Sequence, residues 1–283
     1  MPWSRLVSGV VAIILALGMI VLGGWYFAVP FGIIIFLGQQ EYFQLVRAKG
    51  IEPAAKTTLV VSQVLLVAAI AAPRLVDAVL PVAGTLICFY LLFQPKLATI
   101  ADISASILGL FYGGYLPSYW IRLRGLGDLP AEGLSWGAYW PGTDNPPAGL
   151  LYTLLAFGCI WAADIGAYIV GKFFGRTRLT AISPKKTVEG AVFGVGSSVA
   201  VAVVGSWLLG WPGWPLTGVA LGLIIGIASL LGDLTESMMK RDAGVKDSGQ
   251  IIPGHGGILD RADSYVFTAP LVYYFVTLLL TQF

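Results

Sequence analysis

Apolar and polar positions along this chain fall into long blocks, with apolar runs near twenty residues separated by shorter polar stretches. A helix rises about 1.5 Å per residue, so about twenty apolar residues cross the roughly 30 Å hydrocarbon core of a bilayer. The runs predict helices at roughly 6–23, 26–45, 57–73, 75–93, 98–116, 149–171, 188–210, 215–233 and 264–282. The first run follows a single Arg5, as a signal peptide would, but no small-residue cleavage site comes after it. Trp25-Tyr26-Phe27 stands there instead, in the manner of an interfacial anchor, so the first helix is expected to be retained. The fold class expected is an all-α, polytopic integral membrane protein with about nine transmembrane helices.

Composition agrees with the pattern. Hydrophobic residues make up 57% of the 283, charged residues only 11%, and the mean hydropathy is +0.82. That balance excludes a large soluble core. The net charge of +2 says little about partners, and nothing resembles a basic nucleic-acid patch, so no nucleic acid is expected. Cys88 and Cys159 both lie inside apolar runs, which makes them packing residues and not a disulfide.

Charge distribution is more telling. With the N-terminus inside, the inner segments hold Arg5, Arg47, Lys49, Lys56, Lys96, Lys172, Arg176, Arg178, Lys185, Lys186, Lys240, Arg241, Lys246 and Arg261. The outer segments hold Arg74, Arg122 and Arg124. The positive-inside rule therefore predicts a cytoplasmic N-terminus and an outside C-terminus.

Charge concentrates between Gly232 and Asp263, where an apolar run meets water, and the only histidine, His255, lies there too. On a helix, Asp233, Ser237 and Lys240 fall at i, i+4 and i+7 and share one stripe. Asp260 returns after Pro253-Gly254-His255-Gly256-Gly257, which reads as a tight loop whose N–H groups can cradle an anion. Asp233 and Asp260 are hard oxygen donors of the kind Mg²⁺ takes, with substrate phosphates completing its shell.

A second cluster centres on Asp164, mid-run and therefore costly unless paired, hydrated or bound to a cation. Tyr168 and Gly171 share its face, with Lys172 beside them and Arg176 shortly after. Ser183-Pro184-Lys185-Lys186-Thr187 suits a turn opening a helix, which would hold both lysines beside N–H groups that favour phosphate. His255 is read as a phosphate contact or loop stabiliser in preference to a proton carrier. Gln39, Gln40, Glu41 and Gln44 gather at the inner end of the second run, where a plain polar helix end and a substrate role stay equally open.

The stretch from Ser237 to Asp263 resembles the signature of the phosphatidate cytidylyltransferase family. Ser237, Lys240-Arg241, Lys246-Asp247, Gly249, Pro253, His255-Gly256-Gly257, Asp260-Arg261 and Asp263 all stand at signature spacing. Ala262 departs from the bulkier residue or threonine usual there. Asp164-Ile165-Gly166-Ala167-Tyr168 and Ser183 to Gly190 are similar to further elements of that family. The likeness is expected over the last 120 residues or so, and only in hydropathy before them.

The resemblance implies transfer of the cytidylyl group of CTP to phosphatidate, giving CDP-diacylglycerol and pyrophosphate. It implies Asp233, Ser237, Lys240, Arg241, Asp260 and Asp164 as the catalytic set. Lys185, Lys186, Lys172, Arg176, Thr187, Lys246, Asp247, His255, Gly256, Gly257, Arg261 and Asp263 would bind substrate. Mg²⁺ would sit on Asp233 and Asp260, with a monovalent cation, K⁺ the candidate, beside it. Residues 1–116 would form N-terminal transmembrane helices, 117–148 an external interfacial loop, and 149–283 the catalytic region, with cytoplasmic loops at 172–187 and 234–263. The setting expected is a bacterial plasma membrane, with the site on the cytoplasmic face. The oligomeric state stays open, a homodimer among the options. A CTP-dependent polyprenol or phytol kinase is the alternative within enzymes, and an ion-coupled anion transporter the alternative outside them. The D-G-x-x-A-R start of CDP-alcohol phosphotransferases does not occur.

Overall fold

In the computed structural model, residues 2–127, 146–251 and 256–280 are described. Each of the nine apolar runs forms helix. The elements are α1 (Pro2–Leu22), α2 (Gly24–Ala48), α3 (Ala55–Ala71), α4 (Val76–Leu92), α5 (Ile100–Leu110), α6 (Leu116–Arg124), α7 (Ala148–Phe174), α8 (Val188–Leu208), α9 (Trp214–Asp242), α10 (Leu259–Val266) and α11 (Thr268–Tyr274). Among the described residues there is no strand, and an isolated antiparallel bridge joins Arg178 and Thr187. Five segments among the described residues have the length and apolarity to cross a membrane: Pro73–Leu92, Ala148–Phe174, Val188–Leu208, Trp214–Asp242 and Leu259–Leu279.

The run expected at 98–116 goes further as helix. A capping box starts it: Thr99 Oγ1 accepts from the Asp102 N–H at 3.2 Å, and the Asp102 carboxylate accepts from the Thr99 N–H at 2.7 Å. It then widens into a π turn at Phe111–Tyr115 and continues as α6 to Arg124, so the connection expected from residue 117 follows the helix only after Arg124. Pro117 does not end the helix: it follows the π turn directly, at the second residue of α6.

Two arginines counted on the outer side are therefore helical and buried. Arg122 pairs with Asp77 at 3.0 Å, and the Tyr115 hydroxyl donates to the same carboxylate at 3.0 Å. Arg124 Nε donates to the Ile20 carbonyl at 2.5 Å and Nη2 to that of Val21 at 3.2 Å, answering acceptors at the end of α1. Most of the loop expected at 117–148, from residue 128 to 145, lies outside the described residues.

The chain forms two units, residues 1–150 with 239–262 and residues 151–238 with 263–283, and passes between them within α7, α9 and α10. In the first, α2 binds its neighbours through polar tips. Gln39 Nε2 donates to Ser62 Oγ at 2.7 Å and to the Gly109 carbonyl at 2.8 Å, and the Tyr42 hydroxyl donates to the Ala105 carbonyl at 2.9 Å. The second unit packs through small residues. Gly218, Gly222 and Gly226 recur every fourth position on α9, and a Cβ at each would stand 2.6, 2.3 and 2.9 Å from the Cα atoms of Val203, Val199 and Val195 on α8. Lipid supplies no hydrophobic drive between helices, so such close backbone approach holds them together.

This packing predicts opposite outcomes for two glycines. Gly222→Val should lower the melting temperature in detergent, at a cost of about 1–3 kcal/mol from overpacking. Gly196→Val, on α8 with nothing within 4 Å of its Cβ position, should be close to neutral. Equal melting of the two variants would remove the close-approach explanation.

Candidate active site

The residues between α7 and α8 fold back as a short hairpin. The Leu179 N–H donates to the Lys186 carbonyl at 2.9 Å and the Val188 N–H to the Thr177 carbonyl at 2.9 Å. Glu189, in the first turn of α8, accepts from the N–H groups of Arg176 at 3.2 Å and Thr177 at 3.1 Å, tying the start of the hairpin to the helix. Thr187 is the N-cap, accepting from the Gly190 N–H at 3.2 Å. Of the residues expected to meet substrate here, Thr187 thus shapes the backbone, while Lys185 and Arg176 are exposed. Lys172 lies over the rings of Tyr168 and Phe173, 5.7 and 5.5 Å from their centroids.

Lys186 turns back from this hairpin and forms an ion pair with Asp233 on α9. Ser237, one turn further along, points its hydroxyl at the same carboxylate at 3.4 Å. Asp164 on α7 is exposed and close enough to feel the charges of both Asp233 and Lys186, with the hydroxyls of Ser229 and Ser264 turned toward it. Asp263 is buried, and the charges of Asp233, Glu236 and Asp164 act on it. Four carboxylates and an ammonium so form one polar group in the second unit. Such a group attracts cations and can pass its lysine to an incoming phosphate.

The first unit holds the other part of the signature. Lys240 Nζ meets Asp260 Oδ1 at 2.5 Å, with both side chains about nine-tenths buried. Asp260 Oδ2 accepts from the N–H groups of Ser248 at 3.0 Å and Gly257 at 2.8 Å, which closes the base of the Gly-rich loop. Gly256 has φ +83°, a left-handed conformation that favours glycine. Arg241 is exposed and donates to the Val245 carbonyl at 3.1 Å; Lys246, Asp247 and Arg261 are also exposed. Pro253, Gly254 and His255 lie outside the described residues.

Residues that the sequence did not single out complete both groups. Ser229, Glu236 and Ser264 join the first, and Glu41 and Ser248 join the second. Glu41 stood in the polar run at the end of α2, but nothing local distinguished it from Gln40 or Gln44.

The sequence profile of the cytidylyltransferase family matches residues 3–279. The chain is 66% identical to a phosphatidate cytidylyltransferase of Synechocystis sp., covering 99% of this chain and 98% of that protein. It is 43% identical to the chloroplastic phosphatidate cytidylyltransferase 4 of Arabidopsis thaliana, covering 96% and 73% respectively. It is 31% identical to a phosphatidate cytidylyltransferase of Bacillus subtilis, covering 97% of each. The likeness therefore extends beyond the C-terminal 120 residues and through the N-terminal helices.

The two acidic partners of nearby lysines predict different stabilities. Asp260→Asn leaves the Lys240 ammonium buried without its counter-charge, and losing one partner of such a pair costs about 3–5 kcal/mol. Asp242 pairs with Lys49 at 3.1 Å in an exposed position, so Asp242→Asn should melt like the parent. Thermal unfolding in detergent separates the two, and equal melting would refute the Asp260 assignment.

Proposed function

We propose, from the premise that this chain belongs to the cytidylyltransferase family, that it transfers the cytidylyl group of CTP to phosphatidate, forming CDP-diacylglycerol and pyrophosphate. One observation carries the reading: the full-length match to proteins of that name includes the residues that build both charged groups. The attacking atom is already a phosphate oxyanion, so no strong general base is required. Rate then depends on in-line placement and on cancelling charge among clustered phosphates. Lys186 and Lys240 suit that work, because each ammonium is already held in place by an aspartate. The exposed Lys185, Arg241 and Arg261 are the further proposed phosphate contacts.

Mg²⁺ is part of the proposal, with Asp233 and Asp260 as its ligands. The donor chemistry fits: Asp233 shares its surroundings with Asp164, Glu236 and Asp263, an excess of negative charge that a hard cation relieves. Asp260 Oδ1 bonds to Lys240 and still has a second lone pair. Among the described residues no three such side chains form a metal-ligand set by themselves, so phosphate and water would supply the rest of the shell. Bound there, Mg²⁺ would neutralise charge on the triphosphate and on the departing pyrophosphate. A K⁺ ion beside it remains part of the same proposal.

The nine-span arrangement, with a cytoplasmic N-terminus, an outside C-terminus and the site on the cytoplasmic face of a plasma membrane, is likewise proposed. Its support is the charge asymmetry, which holds with Arg122 and Arg124 set aside as buried helix residues. A homodimer is the simplest assembly to test, by light scattering of the solubilised protein.

Purified protein given α-labelled CTP and phosphatidate should form labelled CDP-diacylglycerol with Mg²⁺ and none with chelator. Transfer of γ-label to a lipid alcohol, with no cytidine in the product, would move the assignment to the lipid kinases. Asp233→Asn should lose about a hundredfold in rate, the usual cost of removing an electrostatic stabiliser of the transition state. Lys186→Gln should raise KM or lower kcat without changing membrane insertion.

A further inference from the structure

We propose that Glu41 is a positioning residue for the reaction: from α2 it clamps the base of the Gly-rich signature loop and so fixes Asp260 and Lys240. The side chain is 1% exposed. Its Oε1 accepts from the Ile258 N–H at 3.1 Å, and its Oε2 accepts from the Leu259 N–H at 2.8 Å and from Ser248 Oγ at 2.9 Å. All three donors belong to the two ends of one loop, more than two hundred positions further along the chain.

The loop fits closely around this carboxylate. A Cβ at Gly249 would stand 2.3 Å from Glu41 Oε1, and one at Gly257 would stand 2.4 Å from Oε2. Glu41 occupies the space beside Gly249, and Glu41 together with the Ser248 hydroxyl occupies the space beside Gly257, so neither position has room for a Cβ. One turn before it, Ile258 packs against α2 at an ordinary distance, its Cγ2 3.6 Å from the Cβ position of Gly38.

Ser248 is held twice, its hydroxyl by Glu41 and its N–H by Asp260 at 3.0 Å. Leu259, whose N–H Glu41 takes, opens α10 and immediately precedes Asp260. A buried carboxylate bound by neutral donors tolerates little movement of those donors, since each lost bond leaves charge unsolvated. The positive end of α10 adds to its hold. Glu41 thus sets the position of Asp260, and through the 2.5 Å contact that of Lys240.

This inference rests on the proposed cytidylyl transfer, and the test keeps the two apart. In Glu41→Gln the shape is kept, but an amide nitrogen replaces one of the two acceptors. The expected result is a fall in kcat of tenfold or more per folded molecule, with the KM for CTP and for phosphatidate changed less than twofold. Ser248→Ala removes one donor and leaves the charge, and should lower kcat severalfold. The double variant should be no slower than Glu41→Gln alone. Hydrogen exchange at the Ile258 and Leu259 amides should quicken in Glu41→Gln, and this is read without any substrate. Unchanged kcat per folded molecule in Glu41→Gln overturns the proposal; if that variant does not fold, unchanged kcat in Ser248→Ala does so. Absence of turnover in the parent overturns the functional reading, and the exchange data then decide on the clamp: unchanged exchange rejects it, and faster exchange sustains it.

Discussion

A charge carried into an apolar layer must be met by a counter-charge or by hydrogen-bond donors, and this protein is organised around that requirement. Each buried ionic group ties segments that are far apart in sequence. Asp260 receives Lys240 and Glu41 receives the loop base, while the buried Arg122 guanidinium reaches the half-exposed Asp77. Removing one partner of the buried Asp260–Lys240 pair costs about 3–5 kcal/mol, against a whole-domain stability of about 5–15 kcal/mol. The intact pair adds much less than that, because desolvation offsets its attraction. Its main effect is on geometry.

Between these ties the helices meet through shape. The Gly218, Gly222 and Gly226 series brings α9 against the backbone of α8, and Gly190 does the same between α8 and α7, where a Cβ would stand 2.8 Å from the Ala167 carbonyl. Close backbones fix the rotation of α9 about its axis. That rotation turns Asp233 toward Lys186, so packing chosen for lipid also directs the polar face.

The same economy shapes the chemistry. In the proposed reaction, a lysine already held in place by an aspartate leaves less reorganisation for the arrival of phosphate. Backbone devices support these side chains. Thr187 caps the helix that follows Lys186, and Glu189 pins the hairpin that carries it. Part of each signature motif is thus scaffold for the rest.

Much of this was legible in the sequence. Apolar runs determined where helices form, because about twenty residues of low polarity in lipid can satisfy their backbone only as helix. Helical spacing placed Asp233, Ser237 and Lys240 on one stripe, and the turn chemistry of Ser183-Pro184 with Thr187 marked the start of α8. The signature spacing pointed to the family. Tertiary structure alone decided that, of several polar residues on α2, Glu41 would be the partner of Ser248, 207 positions away. It also turned Arg122 and Arg124 from loop markers into buried donors, and carried the helix past Pro117. The physical reason is range. Periodicity and turn chemistry report on backbone within a few residues, whereas a buried carboxylate takes whichever donors the packed chain brings to it.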